Sequence, residues 1–92
     1  MPIVYRVGAY VIFWWSGDKD EPIHVHVCKG KLCENATKLW ICSNGQIIKA
    51  NNNSQIPTRE LKNIKKHVAS LQNDICEQWK KFFGTTSIKY YM

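Results

Sequence analysis

Apolar and polar positions alternate in short runs through residues 2–50, and this pattern predicts a β-sheet. Each run is rich in β-branched and aromatic residues, and glycine, asparagine, aspartate or proline separates it from the next. The runs are PIVYRVG, AYVIFWWS, IHVHVC, NATKLWIC and QIIKA. Because their connections are short turns, we expect an antiparallel meander of about five strands.

The spacing of apolar residues changes after Thr58 to intervals of three or four, which is typical of an amphipathic helix. The apolar stripe consists of Leu61, Ile64, Val68, Leu71, Ile75, Trp79 and Phe82. It predicts a helix over residues 58–83, ended by Gly84. A straight helix of that length measures about 39 Å, whereas a domain of this size is about 32 Å across, so we expect a kink near residues 70–73 or an overhanging end.

Together these regions predict a single α+β domain over residues 1–92, in which the meander packs against the C-terminal helix and residues 85–92 form a tail or a last edge strand. The chain is 45% hydrophobic with four tryptophans, a globular composition. Neither a signal peptide nor a membrane-spanning apolar run is evident, so we expect a soluble cytoplasmic protein that does not enter membranes. The four cysteines lack C-x-x-C spacing, and we expect buried reduced thiols.

The second strand is apolar on both faces, and a single helix can cover only one face of a sheet. Part of this surface should therefore be exposed in a monomer. We predict that Phe13, Trp14 and Trp15 contact a partner chain or a second copy in a homodimer.

The segment DKDEPIHVHV, residues 18–27, carries the candidate chemistry. On a strand, His24 and His26 project from the same face, about 6.7 Å apart along the backbone, and can address one small target. An imidazole titrates near neutral pH, so the pair could supply an acid and a base for attack of a 2′-hydroxyl on an RNA phosphodiester. Stabilisation of the transition-state charge would come from Arg6, Lys29 or Lys31, beside a supporting acidic turn that contains Asp18 and Glu21.

Two other uses of the histidines stay open. A metal ion would need a third protein ligand, for which Asp18, Glu21, Cys28 and His67 are candidates; since no spacing motif supports one, we assign no metal and no cofactor. Alternatively, each imidazole bonds a carboxylate or a main-chain carbonyl and only fixes the turn.

The net charge of +6 favours an anionic partner. Arg59, Lys62 and Lys66 lie on one face of the predicted helix. We interpret that face as solvated, with a phosphate-binding ridge as the alternative.

The order of FWWSGDKDEPIHVHVCKG, ATKLWI, SNG, TRELKNIKKHV and EQWKKFFG resembles a small bacterial family, domain of unknown function 4160. The resemblance extends from Pro2 to Gly84 and is most specific at P-x-H-x-H-V, although a second proline is usual where this chain has Ile23. It implies a toxin of a type II toxin–antitoxin pair, with a small antitoxin-like protein as partner.

Two functional hypotheses follow. The first is a toxin that acts on RNA or translation through His24 and His26; as an enzyme it would be a metal-independent endoribonuclease. The second is a non-enzymatic interaction or regulatory module whose apolar sheet face binds a protein and whose basic helix binds nucleic acid.

Overall fold

Five strands pair in the order in which they occur along the chain. In the computed structural model, which describes residues 3–92, they are β1 (Ile3–Val7), β2 (Tyr10–Phe13), β3 (His24–Lys29), β4 (Thr37–Ile41) and β5 (Ile47–Asn51). The sheet order is β1-β2-β3-β4-β5, and each neighbouring pair is antiparallel. The predicted meander and the α+β class are confirmed.

The predicted C-terminal helix is divided into α1 (Thr58–Ser70) and α2 (Gln72–Phe83). The break lies at Leu71, whose φ and ψ of −103° and 11° leave the helical region. The longest dimension of the molecule is 34 Å, so an unbroken helix would extend beyond the sheet that covers its apolar stripe. The kink is therefore confirmed. None of the helices within residues 3–92 has the length and apolarity of a membrane span.

Strand β2 is buried on both faces, as its sequence predicts, but by one chain alone. The helix side of the sheet carries Ile12 and Trp14, while Val11 and Phe13 belong to a second cluster with Cys28 and Ala36. The connection between β3 and β4 covers this second cluster. The predicted partner surface is wrong for Phe13 and Trp14, which are 0% and 1% exposed; Trp15 is partly exposed.

The same connection corrects the expectation for the cysteines. Cys28 and Cys33 form a disulfide, with their Cα atoms 6.0 Å apart. Gly30, at a φ of 82°, turns the chain back after β3 and brings Cys33 over Cys28. Cys42 and Cys76 are buried free thiols, as predicted.

Residues 85–92 are irregular but bound to the sheet. The Ile23 N–H donates to the Lys89 carbonyl oxygen at 2.8 Å, and the Ser43 N–H donates to that of Met92 at 2.8 Å. Tyr91 stacks on Trp40 with ring centroids 4.9 Å apart and planes 2° apart. The tail is thus neither frayed nor a regular strand, and it packs beside the start of β3.

Candidate functional site

Asp18 lies in a one-turn 3-10 helix, Ser16–Asp20, that connects β2 to the segment before β3. Its side chain folds back to accept a hydrogen bond from the Trp15 N–H at 2.9 Å. Asx side chains readily make such local bonds to the main chain, and this one turns the carboxylate inward. Asp18 is consequently buried although its sequence neighbours Lys19 and Asp20 are exposed.

Both histidines meet this carboxylate. The Nε2 atoms of His24 and His26 each lie 3.1 Å from Asp18 Oδ2. Their rings project from the same face of β3, with centroids 4.9 Å apart and planes 86° apart. Both rings therefore lie on the one face of β3 that strand alternation predicts, and they converge on Asp18. The three side chains, called the Asp18–His24–His26 cluster below, each bring one metal-ligating atom to within 4.8 Å of the others.

His24 uses its two ring nitrogens differently. Nδ1 lies 2.8 Å from the Pro22 carbonyl oxygen. Because a carbonyl oxygen only accepts, Nδ1 must carry the hydrogen. Nε2 is buried and has no hydrogen-bond partner among residues 3–92. Its distance to Asp18 would suit a hydrogen bond, but its direction does not, so the contact with the carboxylate is close without being a well-formed bond.

The two histidines differ in how completely their side chains are buried. Trp40 from β4 and Trp79 from α2 pack edge-on against His24, with centroid distances of 5.4 and 5.6 Å. The His24 side chain is 0% exposed, whereas that of His26 is 13% exposed. The expectation that both imidazoles act directly on an external substrate does not hold for His24, because Trp79 of α2 covers it. His26 is the member of the pair open to a ligand.

The electrostatics of the cluster favour an ionised carboxylate. Burial raises the pKa of Asp18, but the hydrogen bonds that its carboxylate accepts from His26 Nε2 and from the Trp15 N–H outweigh this effect, and the pKa lies well below its ordinary value. Asp18 is therefore an anion at neutral pH.

The other predicted site residues are distributed over the molecule. Glu21 forms an ion pair with Lys38 of β4. Lys38 is the residue of β4 that pairs with His26 of β3, and its Nζ lies 4.3 Å from the centre of the Trp40 ring. The predicted phosphate-binding residues are Arg6, Lys29 and Lys31, and all three are exposed. Within residues 3–92, no hydrogen bond or ion pair joins any of them to His24 or His26. Arg6 instead lines a separate cleft of about 410 Å³ that also contains His67.

The profile of the family "Domain of unknown function (DUF4160)" matches residues 8–80. The chain belongs to this family. The matched DUF4160 region contains the whole Asp18–His24–His26 cluster and both tryptophans that enclose His24. Neither the curated proteins nor the solved structures that were searched contain a significant match.

Sequence reasoning alone did not find the residues that enclose the site of this DUF4160 chain. Lys38 and Trp40 belong to TKLWI, in which they alternate with Leu39 and Ile41. That alternation assigns them to one face of β4, and the antiparallel order of the strands places them opposite His26 and His24. Trp79 belongs to the apolar stripe of the helix, and no local signal connects it with β3.

Proposed function

We propose that this protein is the toxin component of a bacterial toxin–antitoxin pair and acts on RNA or translation through the Asp18–His24–His26 cluster. The observation that carries the proposal is the convergence of both histidine Nε2 atoms on one Asp18 oxygen, each at 3.1 Å. Such an arrangement of ionisable groups suits proton transfer better than it suits a purely structural turn, because one of its members is open to a ligand.

His26 is assigned the proton transfer. Asp18 accepts a hydrogen bond from Nε2 of His26, so a neutral ring presents Nδ1 as the acceptor. This resembles the carboxylate–imidazole arrangement of hydrolases, in which the carboxylate fixes the tautomer and stabilises the protonated ring. In RNA cleavage, Nδ1 would take the proton of a 2′-hydroxyl as its oxygen attacks phosphorus, and the departing 5′-oxygen would take a proton from water. His24, being enclosed, is assigned a positioning role.

A nucleotide has a surface on which to bind beside His26. Trp40 and Tyr91 form a stacked pair in which Tyr91 is 51% exposed, and Lys38 lies over the Trp40 ring. Nucleobases stack on aromatic side chains, each stack contributing about 1–3 kcal/mol, and a nearby cation attracts the phosphate. In this proposal the base binds near Tyr91, and Arg6, Lys29 and Lys31 contact only a longer substrate.

The experiment is controlled expression of the wild-type chain and of single variants, with growth and total RNA followed together. His26→Ala and Asp18→Asn should abolish growth arrest and RNA cleavage, while His67→Ala, which changes an exposed histidine on α1, should retain both. Circular dichroism of each purified variant establishes that it is folded. The proposal fails if the wild-type chain leaves growth and RNA intact, or if His26→Ala is as active as wild type.

A second candidate function, a non-enzymatic interaction or regulatory module, is favoured by the cationic surface of α1. Arg59, Lys62 and Lys66 are exposed and line one open groove. In that case Lys62→Glu with Lys66→Glu should abolish function and nucleic-acid binding, and His26→Ala should not. Binding of a small antitoxin-like protein or a second copy stays a prediction under either hypothesis. Of the predicted interface, Trp15 is the tryptophan that still offers partly exposed surface.

A further inference from the structure

The buried contact between His24 and Asp18 brings two acceptors together. Since Nδ1 of His24 carries its hydrogen toward Pro22, Nε2 of a neutral ring holds a lone pair. That lone pair lies 3.1 Å from Oδ2 of the Asp18 anion and has no hydrogen-bond partner within the described chain. A buried polar atom without a partner is destabilising, and an adjacent anion adds repulsion. A cation shared by both atoms removes both penalties.

We propose that Asp18, His24 and His26 together bind one divalent transition-metal ion. The site goes beyond the proposed function, because metal binding does not depend on RNA being the substrate. An ion at His26 Nε2 replaces the hydrogen that this nitrogen donates to Asp18 in the metal-free chain, so metal binding and the metal-free acid–base role are alternative states of the same ring.

The distances within the cluster fit a shared ion. Ligands about 2.0–2.1 Å from a zinc ion, at angles between about 90° and 109°, are themselves about 2.8–3.4 Å apart. Both distances from Asp18 Oδ2 to a histidine Nε2, at 3.1 Å, fall in that interval. All three ligand atoms lie within 4.8 Å, and a small rotation of the more exposed His26 ring completes the set. Ligands need to point at a common centre and not at one another, which agrees with the misdirected contact of His24.

Main-chain hydrogen bonds around the cluster fix the orientation of its ligand atoms, as is usual in metal sites. A ligating imidazole commonly donates its other N–H to a carbonyl oxygen, which fixes the tautomer, and Pro22 accepts this bond from His24. The Trp15 N–H holds Asp18 Oδ2 in the same way. Lys38, the cation opposite His26, pairs with Glu21 and not with Asp18, so it does not compete with a metal ion for the Asp18 carboxylate.

The ligand set also indicates the class of ion. Two imidazole nitrogens and one carboxylate favour zinc or iron(II), whereas magnesium and calcium prefer oxygen ligands. Three protein ligands leave a coordination position for water, and the partial exposure of His26 gives that position access to solvent. This arrangement is typical of a site that activates water or binds a substrate atom.

The test is titration of the untagged, EDTA-treated full chain with zinc, with iron(II) without oxygen, and with magnesium, followed by calorimetry and melting temperature. We expect one zinc or iron(II) ion per chain, a higher melting temperature on binding, and no response to magnesium. His26→Ala should weaken binding at least tenfold, and His67→Ala should not change it. Because Asp18→Asn could unfold the chain, His26→Ala, at the more exposed ligand, is the deciding variant.

Two outcomes would overturn the metal site: no binding of either transition metal, or equal zinc affinity in wild type and His26→Ala. The first would show that the cluster holds no transition-metal ion, and the second would place the ion elsewhere. Failure of the metal site is distinguishable from failure of the proposed function. Zinc binding with intact RNA rejects the toxin activity alone, and His26-dependent growth arrest without metal binding rejects the metal site alone.

Discussion

Nδ1 of His24 donates a hydrogen bond to the Pro22 carbonyl oxygen at 2.8 Å, and this contact determines what the other ring nitrogen can do. It fixes the ring in one tautomer and directs Nε2 into the space beside Asp18. The acidic turn and the first residue of β3 are thereby joined into one site.

Asp18 should contribute to stability in a pH-dependent way. Its folded pKa lies below the ordinary value of about 3.9, so the native state binds fewer protons than the unfolded state. The stabilisation is complete above that value and is lost as the pH falls below it. At pH 7, Asp18→Asn should lower the free energy of unfolding by about 1–3 kcal/mol.

Urea denaturation of metal-free protein between pH 3 and 7 measures this effect. The wild-type stability should fall on acidification more steeply than that of Asp18→Asn. Asp20→Asn, at an exposed position in the same turn, should stay within about 0.5 kcal/mol of wild type. Parallel pH curves for wild type and Asp18→Asn would contradict the account.

Trp79 should be among the most important side chains for stability, because it packs against both Trp14 and His24. Trp79→Ala leaves a cavity between the helix and the sheet and should cost about 3–5 kcal/mol. Trp79→Phe, which fills part of that cavity, should cost less. Phe82→Ala, at a ring that is 42% exposed, should cost about 1 kcal/mol. Urea midpoints rank the variants, and equal losses for Trp79→Ala and Phe82→Ala would be inconsistent with this packing.

The disulfide predicts a thiol count. Chains purified without reductant and then denatured should react with a thiol reagent at Cys42 and Cys76 only, and all four cysteines should react after reduction. Cys33→Ser should lower the free energy of unfolding by about 2 kcal/mol, the chain-entropy value for a loop this short. Four reactive thiols before reduction would show that the β3–β4 connection is not crosslinked.

Alanine substitutions at Gly84 and Gly17 form a matched pair that tests backbone conformation. A Cβ added at either glycine would meet no heavy atom within 4 Å, but only Gly84 has a left-handed φ, 66°. Gly84→Ala should therefore destabilise the end of α2 by about 1–2 kcal/mol, while Gly17→Ala should have little effect. Thermal denaturation of the two variants provides the comparison. Equal melting temperatures would mean that Gly84 does not require its observed conformation.

Local pattern was sufficient for much of the fold. The strands follow from runs of β-branched and aromatic residues between turn-forming residues. Comparing helix length with domain size predicted either a kink near residues 70–73 or an overhanging end, and the structure has the break, at Leu71. The residues that bury Phe13 could not be predicted from such patterns. They belong to an irregular connection whose Leu32, Cys33 and Ala36 have no strand or helix periodicity.

The candidate site was likewise predicted only in part from local sequence pattern. The shared face of His24 and His26 follows from strand alternation, and Asp18 was one of several possible third ligands. Its selection depends on the bond from the Trp15 N–H, which turns one carboxylate of the acidic turn inward. The burial of His24 depends on Trp79, which is distant in the sequence, so no local pattern could indicate it.

The tautomer of His24 tests the metal site at its base, and long-range proton–nitrogen correlation NMR on metal-free protein measures it. His24 should carry a hydrogen on Nδ1, and its Nε2 signal should change when zinc is added. A hydrogen on Nε2 with Nδ1 unprotonated would contradict the metal site, because the Pro22 contact could not form and Nε2 could not face Asp18 as an acceptor.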